Sequence, residues 1–250
     1  MSFLNKLGIG IGTGSGTGRE ASRPIPQNGR SRNIAPVPAV GSPRLPEAPG
    51  STRISNGLKE FLWNLDGLGR GTLLDLGPAW QTTLSFFIER GFRVSSEDIL
   101  REWRDFLNEE EQRLHGVNVI SETVDMTPAG RANRFLESNL QYPRASFDAV
   151  LAWDLLDYLE PSLAKQTIAS MTECLRPGGV VFALFHSKKP EGFQRYRIAD
   201  SNSLQVISAS VLCPAQKVYQ NREIQDLFSR FRTMKSFVSR DQLRETLFIK

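Results

Sequence analysis

The chain has 250 residues, 40% of them hydrophobic, 23% charged and 9% aromatic, and 31 Lys and Arg against 27 Asp and Glu give a formal charge of +4. This near-average composition excludes a wholly disordered chain, a collagen and a membrane bundle, and no stretch reaches the ~18 consecutive apolar residues that span a bilayer. Two cysteines, Cys174 and Cys213, and two histidines form neither a disulfide framework nor a four-ligand zinc site, so the expectation is a cytoplasmic protein with reduced thiols and no metal.

The charge is unevenly placed. Residues 1–57 carry seven basic residues against two acids, a local charge of +5, and the remaining 24 basic and 25 acidic residues sum to −1. The same segment holds 10 of the 20 glycines and 7 of the 14 prolines. It buries too little apolar surface to offset the entropy of ordering it, and reads as a disordered Gly/Pro/Arg-rich tail. The alternation Gly8, Gly10, Gly12, Gly14, Gly16, Gly18 lacks the odd spacing of G-x-G-x-x-G, with neither strand before it nor helix after it, so it is read as linker. A signal peptide and N-myristoylation are not expected. Since the excess charge belongs to the tail, nothing in the body (58–250) calls for a nucleic-acid partner.

From Ser55 the pattern becomes periodic. Leu58, Phe61, Leu62 and Leu65 predict a helix over 55–65. A short apolar strand at 72–76 follows, then a Gly77-Pro78 turn, a helix over 81–90 closed by Gly91, and a strand at 92–96. That sequence of elements is one βαβ unit. Beyond it the pattern predicts a helix at 100–113, a strand within 117–124, a strand at 147–153 and a helix at 161–175. The run Val180–Phe185 has no polar residue, as expected of a central parallel strand covered on both faces. A strand at 204–211, a helix at 221–230 and closing strands at 232–239 and 243–249 complete the chain. Alternating strands and helices predict a doubly wound, Rossmann-like α/β domain: a mostly parallel seven-stranded sheet with an antiparallel C-terminal strand and helices on both faces.

Such sheets bind ligands at the carboxyl ends of their strands, where the strand order reverses. That rule selects the turn from Asp75 to Gln81, Asp98 after the second strand, and Trp153-Asp154 after the 147–153 strand. Asp98 lies 23 residues beyond Asp75, a spacing at which an acid accepts ribose hydroxyls, since one carboxylate takes both diol protons. Four segments then occur in order: Leu73-Leu74-Asp75-Leu76-Gly77, Phe92 through Asp98, Ser146-Phe147-Asp148-Ala149-Val150-Leu151, and Leu175-Arg176-Pro177-Gly178-Gly179-Val180-Val181. Together they resemble the class I S-adenosylmethionine-dependent methyltransferases, over roughly residues 55–250. The resemblance implies S-adenosyl-L-methionine as cofactor and a small-molecule acceptor. It implies that Asp75, Gly77, Pro78 and Ala79 hold the amino-acid end of the cofactor, Asp98 its ribose, Asn139-Leu140 its adenine, and that Trp153 lines the methionine and acceptor side.

The sequence departs from that family at the glycine loop, usually Gly-x-Gly-x-Gly and here Gly77-Pro78-Ala79-Trp80-Gln81. Two readings follow: a methyltransferase with a variant loop, or a non-catalytic Rossmann-like binding module with an interaction tail. A nicotinamide oxidoreductase is disfavoured, because its pyrophosphate turn needs three glycines. Asp154 and His186 are the candidate bases for an acceptor that must lose a proton. Asp98 reads equally as the N-cap of the 100–113 helix, and Trp80 and Trp153 as core. The basic, aromatic segment Lys188, Lys189, Arg195, Tyr196, Arg197 is expected as a solvated loop or a lid.

Overall fold

The computed structural model describes residues 50–116, 125–239 and 241–250, and of Leu114 the backbone alone. The expected tail as far as residue 49 and the strand expected within 117–124 lie outside these residues.

Residues Ser51–Ile54 form a strand, β1, and Asn56–Leu65 the first helix, α1. The Ser55 hydroxyl caps α1 by accepting from the Leu58 amide at 3.0 Å, and Leu58, Phe61 and Leu65 are its buried stripe. The βαβ unit then appears as β2 (Gly71–Asp75), α2 (Gln81–Ile88) and β3 (Phe92–Ser96). Gly91 turns the chain into β3 at φ 84°, and a Cβ there would stand 2.5 Å from the Gly69 carbonyl oxygen, so glycine is required. Helices α3 (Ile99–Gly116) and α4 (Pro128–Asn139) follow, then β4 (Phe147–Trp153), α5 (Leu155–Tyr158), α6 (Pro161–Cys174) and β5 (Leu175–His186). The chain closes with β6 (Gln194–Asp200), β7 (Ser203–Ser208), α7 (Asn221–Leu227), β8 (Thr233–Val238) and β9 (Leu243–Ile249).

The main sheet has the order β3-β2-β4-β5-β9-β8, with six strands among the described residues rather than seven. β2, β3, β4 and β5 run parallel and β9 runs antiparallel to β5. The expected strand at 204–211 is β7, which pairs with β1 and β6 in a separate three-stranded antiparallel sheet. The basic, aromatic segment expected as loop or lid contributes β6 to that sheet, joined to β7 through a tight turn at Ser201-Asn202.

Residues alternate strictly between two apolar layers along the central strands. Val150 and Ala152 of β4 and Val181, Ala183 and Phe185 of β5 face α3, α4, α6 and α7. Ala149, Leu151 and Trp153, with Val180, Phe182 and Leu184, face α1, α2 and the second sheet. This period of two, with both faces buried, is what makes these strands read as unbroken apolar runs.

Residues 51–57, placed by composition in the tail, belong to the fold. The buried Glu245 of β9 accepts from the Ser55 hydroxyl at 2.9 Å and the Gly57 amide at 2.6 Å, and Arg53 of β1 pairs with its other oxygen at 2.9 Å. A side-chain network thus fastens the first strand and helix to the last strand, and the composition break misses it because it is polar. Glu245→Ala leaves the Ser55 hydroxyl and the Gly57 amide without their acceptor, while Arg53 keeps its pair with Asp241 at 2.8 Å, a loss expected to cost about 2–4 kcal/mol. Urea unfolding of wild type and variant measures it, and a loss below about 1 kcal/mol would show the network to be incidental.

Candidate functional site

The strand order reverses between β2 and β4, which sets a crevice at their carboxyl ends. β2 ends in Asp75 and β4 in Trp153. The Trp153 indole N–H donates to Asp75 Oδ1 at 2.6 Å, and the Gly77 amide donates to the same oxygen at 3.0 Å. A Cβ on Gly77 would lie 2.6 Å from Trp153 Cδ1, so the one retained glycine of the loop is needed for the indole to lie against the turn. Trp153 itself has φ 49°, a left-handed conformation that costs a non-glycine residue about 1–3 kcal/mol. The pairing of β4 with β5 is irregular at the same place, between Leu151 and Trp153.

Asp98 follows β3 and begins α3, where its carboxylate accepts from the Arg101 amide only at 3.4 Å. Its principal partner is Arg195 of β6, whose Nη2 reaches both carboxylate oxygens at 2.8 and 3.2 Å. The capping contact is therefore long, and the carboxylate is committed to Arg195. Arg195 is 8% exposed.

Gly77, Pro78, Trp153 and Asp154 line one common cavity, together with Arg195 and Tyr196 of β6. Its volume is about 10 Å³. That is room for one water at most, where a nucleoside-sized ligand needs on the order of 300 Å³ or more. Asp75 and Asp98 contact residues of this lining, Trp153 and Arg195, without lining the cavity themselves, and the space an adenosyl group needs is taken by protein. A larger hollow of about 900 Å³ lies beside α1, lined by residues such as Lys59, Trp63 and Phe237, and holds none of the expected site residues.

The remaining expected residues are dispersed. Ala79 is exposed on the turn. Asn139 ends α4 with its side-chain amide donating to the Phe135 carbonyl at 2.8 Å, and Leu140 is buried in the core. Neither lines the cavity, because a terminal helix Asn satisfies its own last turn. His186 ends β5 and does not line the cavity either; its Nδ1 meets Asp157 Oδ2 at 2.9 Å, and its backbone amide donates to that oxygen at 2.7 Å. Sequence reasoning weighed Arg195 and Tyr196 as a solvated loop, a lid over an anionic substrate or phosphate contacts, and did not place them on a strand beside Asp98 and Trp153. The signal was the alternation of charged and apolar residues from Gln194 to Ile198, the period of a strand. Among the described residues there is no cluster of His, Cys, Asp and Glu that could hold a metal, and no helix long and apolar enough to cross a membrane.

Burial governs the acids here. Asp75 is pushed up to about 7 by desolvation, against the opposing donation from Trp153 and Gly77. Asp154, 3% exposed, is pushed up to about 7 by the same cause, and its Oδ2 has no partner among the described residues. Burial also raises Asp157. For His186 desolvation acts downward, but the hydrogen bond to Asp157 and the nearby Asp154 outweigh it and the ring is raised.

No protein-family model and no curated protein matches the chain. Among solved structures it is similar to the 1,6-didemethyltoxoflavin-N1-methyltransferase of Burkholderia thailandensis, which holds 1,6-didemethyltoxoflavin and S-adenosylhomocysteine, at 18% identity over 78% of this chain and 79% of that one, with a TM-score of 0.41. A SAM-dependent methyltransferase of Methanosarcina mazei is 16% identical over 73% and 93%, with a TM-score of 0.38. A putative type 11 methyltransferase of Sulfolobus solfataricus is 15% identical over 76% and 89%, with a TM-score of 0.42. At identities and scores this low, the chemistry rests on the side chains above.

Asp154 gives this environment a measurable signature. Its folded pKa of about 7 lies above the unfolded value, so folding takes up a proton between about pH 4 and 7. Stability therefore falls as pH rises through that window, by about 4 kcal/mol in all at ~1.4 kcal/mol per unit. Asp154→Asn has no such ionisation. Its melting temperature is expected to gain on the wild type from about pH 5 to about pH 7 and to level off above that, and a pH-independent difference would contradict the assignment.

Proposed function

We propose that the body of this chain is a class I S-adenosylmethionine-dependent methyltransferase domain acting on a small-molecule acceptor. The observation that carries this reading is the pair of carboxylates, Asp75 and Asp98, at the ends of the adjacent parallel strands β2 and β3, beside the reversal of strand order and the Gly77 turn. Two acceptors at neighbouring strand ends suit a ligand that presents both a ribose diol and an ammonium group. The bound cofactor would supply a methyl group already activated by its sulfonium, leaving the protein to position the acceptor and exclude water.

In this reading Asp98 accepts the ribose hydroxyls, while Asp75 and the Gly77 amide hold the amino-acid end. Trp153 forms the wall on the acceptor side. Asp154 is the better placed of the two candidate bases, since it lines the cavity with a free carboxylate oxygen and a pKa of about 7 lets it take a proton near neutrality. His186, held by Asp157, stands farther along the same edge of the sheet.

A second reading, the non-catalytic binding module, is favoured by one observation: the cavity of about 10 Å³ at the strand ends. Titration with S-adenosylhomocysteine separates the two. The full chain should gain about 2.7 kcal/mol of stability at ~100 times the dissociation constant, seen as a rise in melting temperature, and Asp98→Ala should abolish the rise. No rise at millimolar ligand, in the wild type and in Arg195→Gln alike, would leave the second reading standing.

A further inference from the structure

β6 crosses the candidate site as a single strand, and four consecutive residues each hold a different element of it. Arg195 takes the Asp98 carboxylate, at the start of α3, at 2.8 and 3.2 Å. Tyr196 stacks on Trp153, at the end of β4, with ring centroids 6.3 Å apart and planes 11° from parallel. The Arg197 guanidinium carbon lies 5.5 Å from the centre of the Trp80 ring, in the turn after β2. The Ile198 amide donates to the Thr83 hydroxyl of α2 at 3.0 Å.

None of these contacts is a main-sheet hydrogen bond. Among the described residues β6 pairs only with β7, in the separate sheet, and is the edge strand of that sheet. Tyr196 and Ile198 of β6, with Leu204 of β7, are buried in the layer that covers one face of the main sheet, so only a local withdrawal of the stretch around Arg195 leaves that face covered. Apolar packing of Tyr196 and Ile198 holds β6, together with side-chain contacts, the strongest polar one being the charge-assisted contact of Arg195 Nη2 with both oxygens of Asp98.

We propose that β6 is an intramolecular strap that competes with the nucleoside for the site, with the Arg195 guanidinium occupying the carboxylate of Asp98 in place of a ribose diol. The inference rests on the reading of Asp98 as the ribose acceptor. The two ligands of Asp98 exclude each other, because Arg195 already engages both carboxylate oxygens and its side chain, with Tyr196, closes the cavity. Binding then requires the strap to withdraw. The measured affinity is the intrinsic affinity scaled down by the fraction of molecules with the strap open.

The test is isothermal titration of the full chain with S-adenosylhomocysteine, comparing the wild type, Arg195→Gln and Arg195→Lys, each checked by circular dichroism for native structure. Arg195→Gln unties Asp98 and is expected to bind at least tenfold more tightly than the wild type. Arg195→Lys keeps the charge but presents a more strongly hydrated ammonium on a shorter stem, and should fall between them. Hydrogen exchange gives a readout that needs no substitution: ligand binding to the wild type should speed exchange of the Ile198 amide, which the Thr83 hydroxyl holds in the closed form. Equal affinities in the three proteins, or an Ile198 amide that stays protected in the liganded wild type, overturn the strap and leave the cofactor reading intact. No binding by any of the three overturns both.

Discussion

The hydrogen bond from the Trp153 indole to the buried Asp75 carboxyl, at 2.6 Å, fixes the geometry of the whole strand-end region. It joins the last residues of β2 and β4 across the point where the sheet reverses its winding. To reach Asp75, Trp153 adopts a left-handed backbone. To lie flat on the turn, its ring needs a glycine at 77. Once the indole is so placed, its outer face is available to Tyr196, and with Tyr196 comes the rest of β6. A strained residue, a loop with one glycine and a covering strand are therefore consequences of one contact. The strain is retained because the surrounding packing over-determines it.

The segments that carry the family resemblance are mechanically linked. Asp148 of β4 receives the Thr72 amide of β2 at 2.7 Å and Arg176 at the start of β5 at 2.6 Å. The Phe-Asp-Ala-Val and Leu-Arg-Pro-Gly-Gly segments are two halves of one ion pair that sets the register of three parallel strands at their N-terminal edge. The Arg176 guanidinium and the Thr72 donors hold the Asp148 carboxyl below the usual range although burial acts upward. This work is structural and lies at the edge of the sheet opposite the candidate site, so these segments argue for the fold and not for the chemistry.

This division explains what the sequence made legible. β4 is apolar but for Asp148, the stretch 180–185 of β5 is unbroken, and α1 carries a clean stripe, so local pattern locates β4 and α1 nearly to the residue and finds the apolar part of β5. Asp75, Gly77, Asp98 and Trp153 follow from the rule that ligands gather at strand ends. The second sheet was not legible, because β1 pairs with β7 across some 150 residues of chain and its strands are short, polar and half-exposed. Helix α4 was missed because its surface residues, among them Arg131, Asn133 and Arg134, dilute the apolar face formed by Ala132, Phe135 and Leu136. Asn139 was misplaced for a related reason: spacing from a strand locates a residue along the chain, but the helix it ends commits its amide to its own backbone. Above all, what covers a site is set by long-range pairing, and no local pattern reports it.

The charge of the body reads differently once its partners are known. Arg53, Arg176, Arg195 and Arg244 are each engaged by acids or carbonyls within the fold, so they form no basic face toward a polyanion. At the site this internal pairing has a cost. Two carboxyls, Asp75 and Asp154, are pushed up to about 7, chiefly by burial and further by the neighbouring carboxylates of Asp98 and Asp157 respectively, and a guanidinium is brought inside to meet a third. An apolar plug of the same volume would close the crevice without desolvating any of these groups, and such replacements are often neutral or stabilising. A site closed by polar groups keeps its ligand-binding atoms intact beneath the cover, and each of them gains solvation when the cover lifts. If β6 is the strap proposed above, this desolvation narrows the margin of the closed state, so that a ligand with its own hydrogen bonds to Asp75 and Asp98 could displace it.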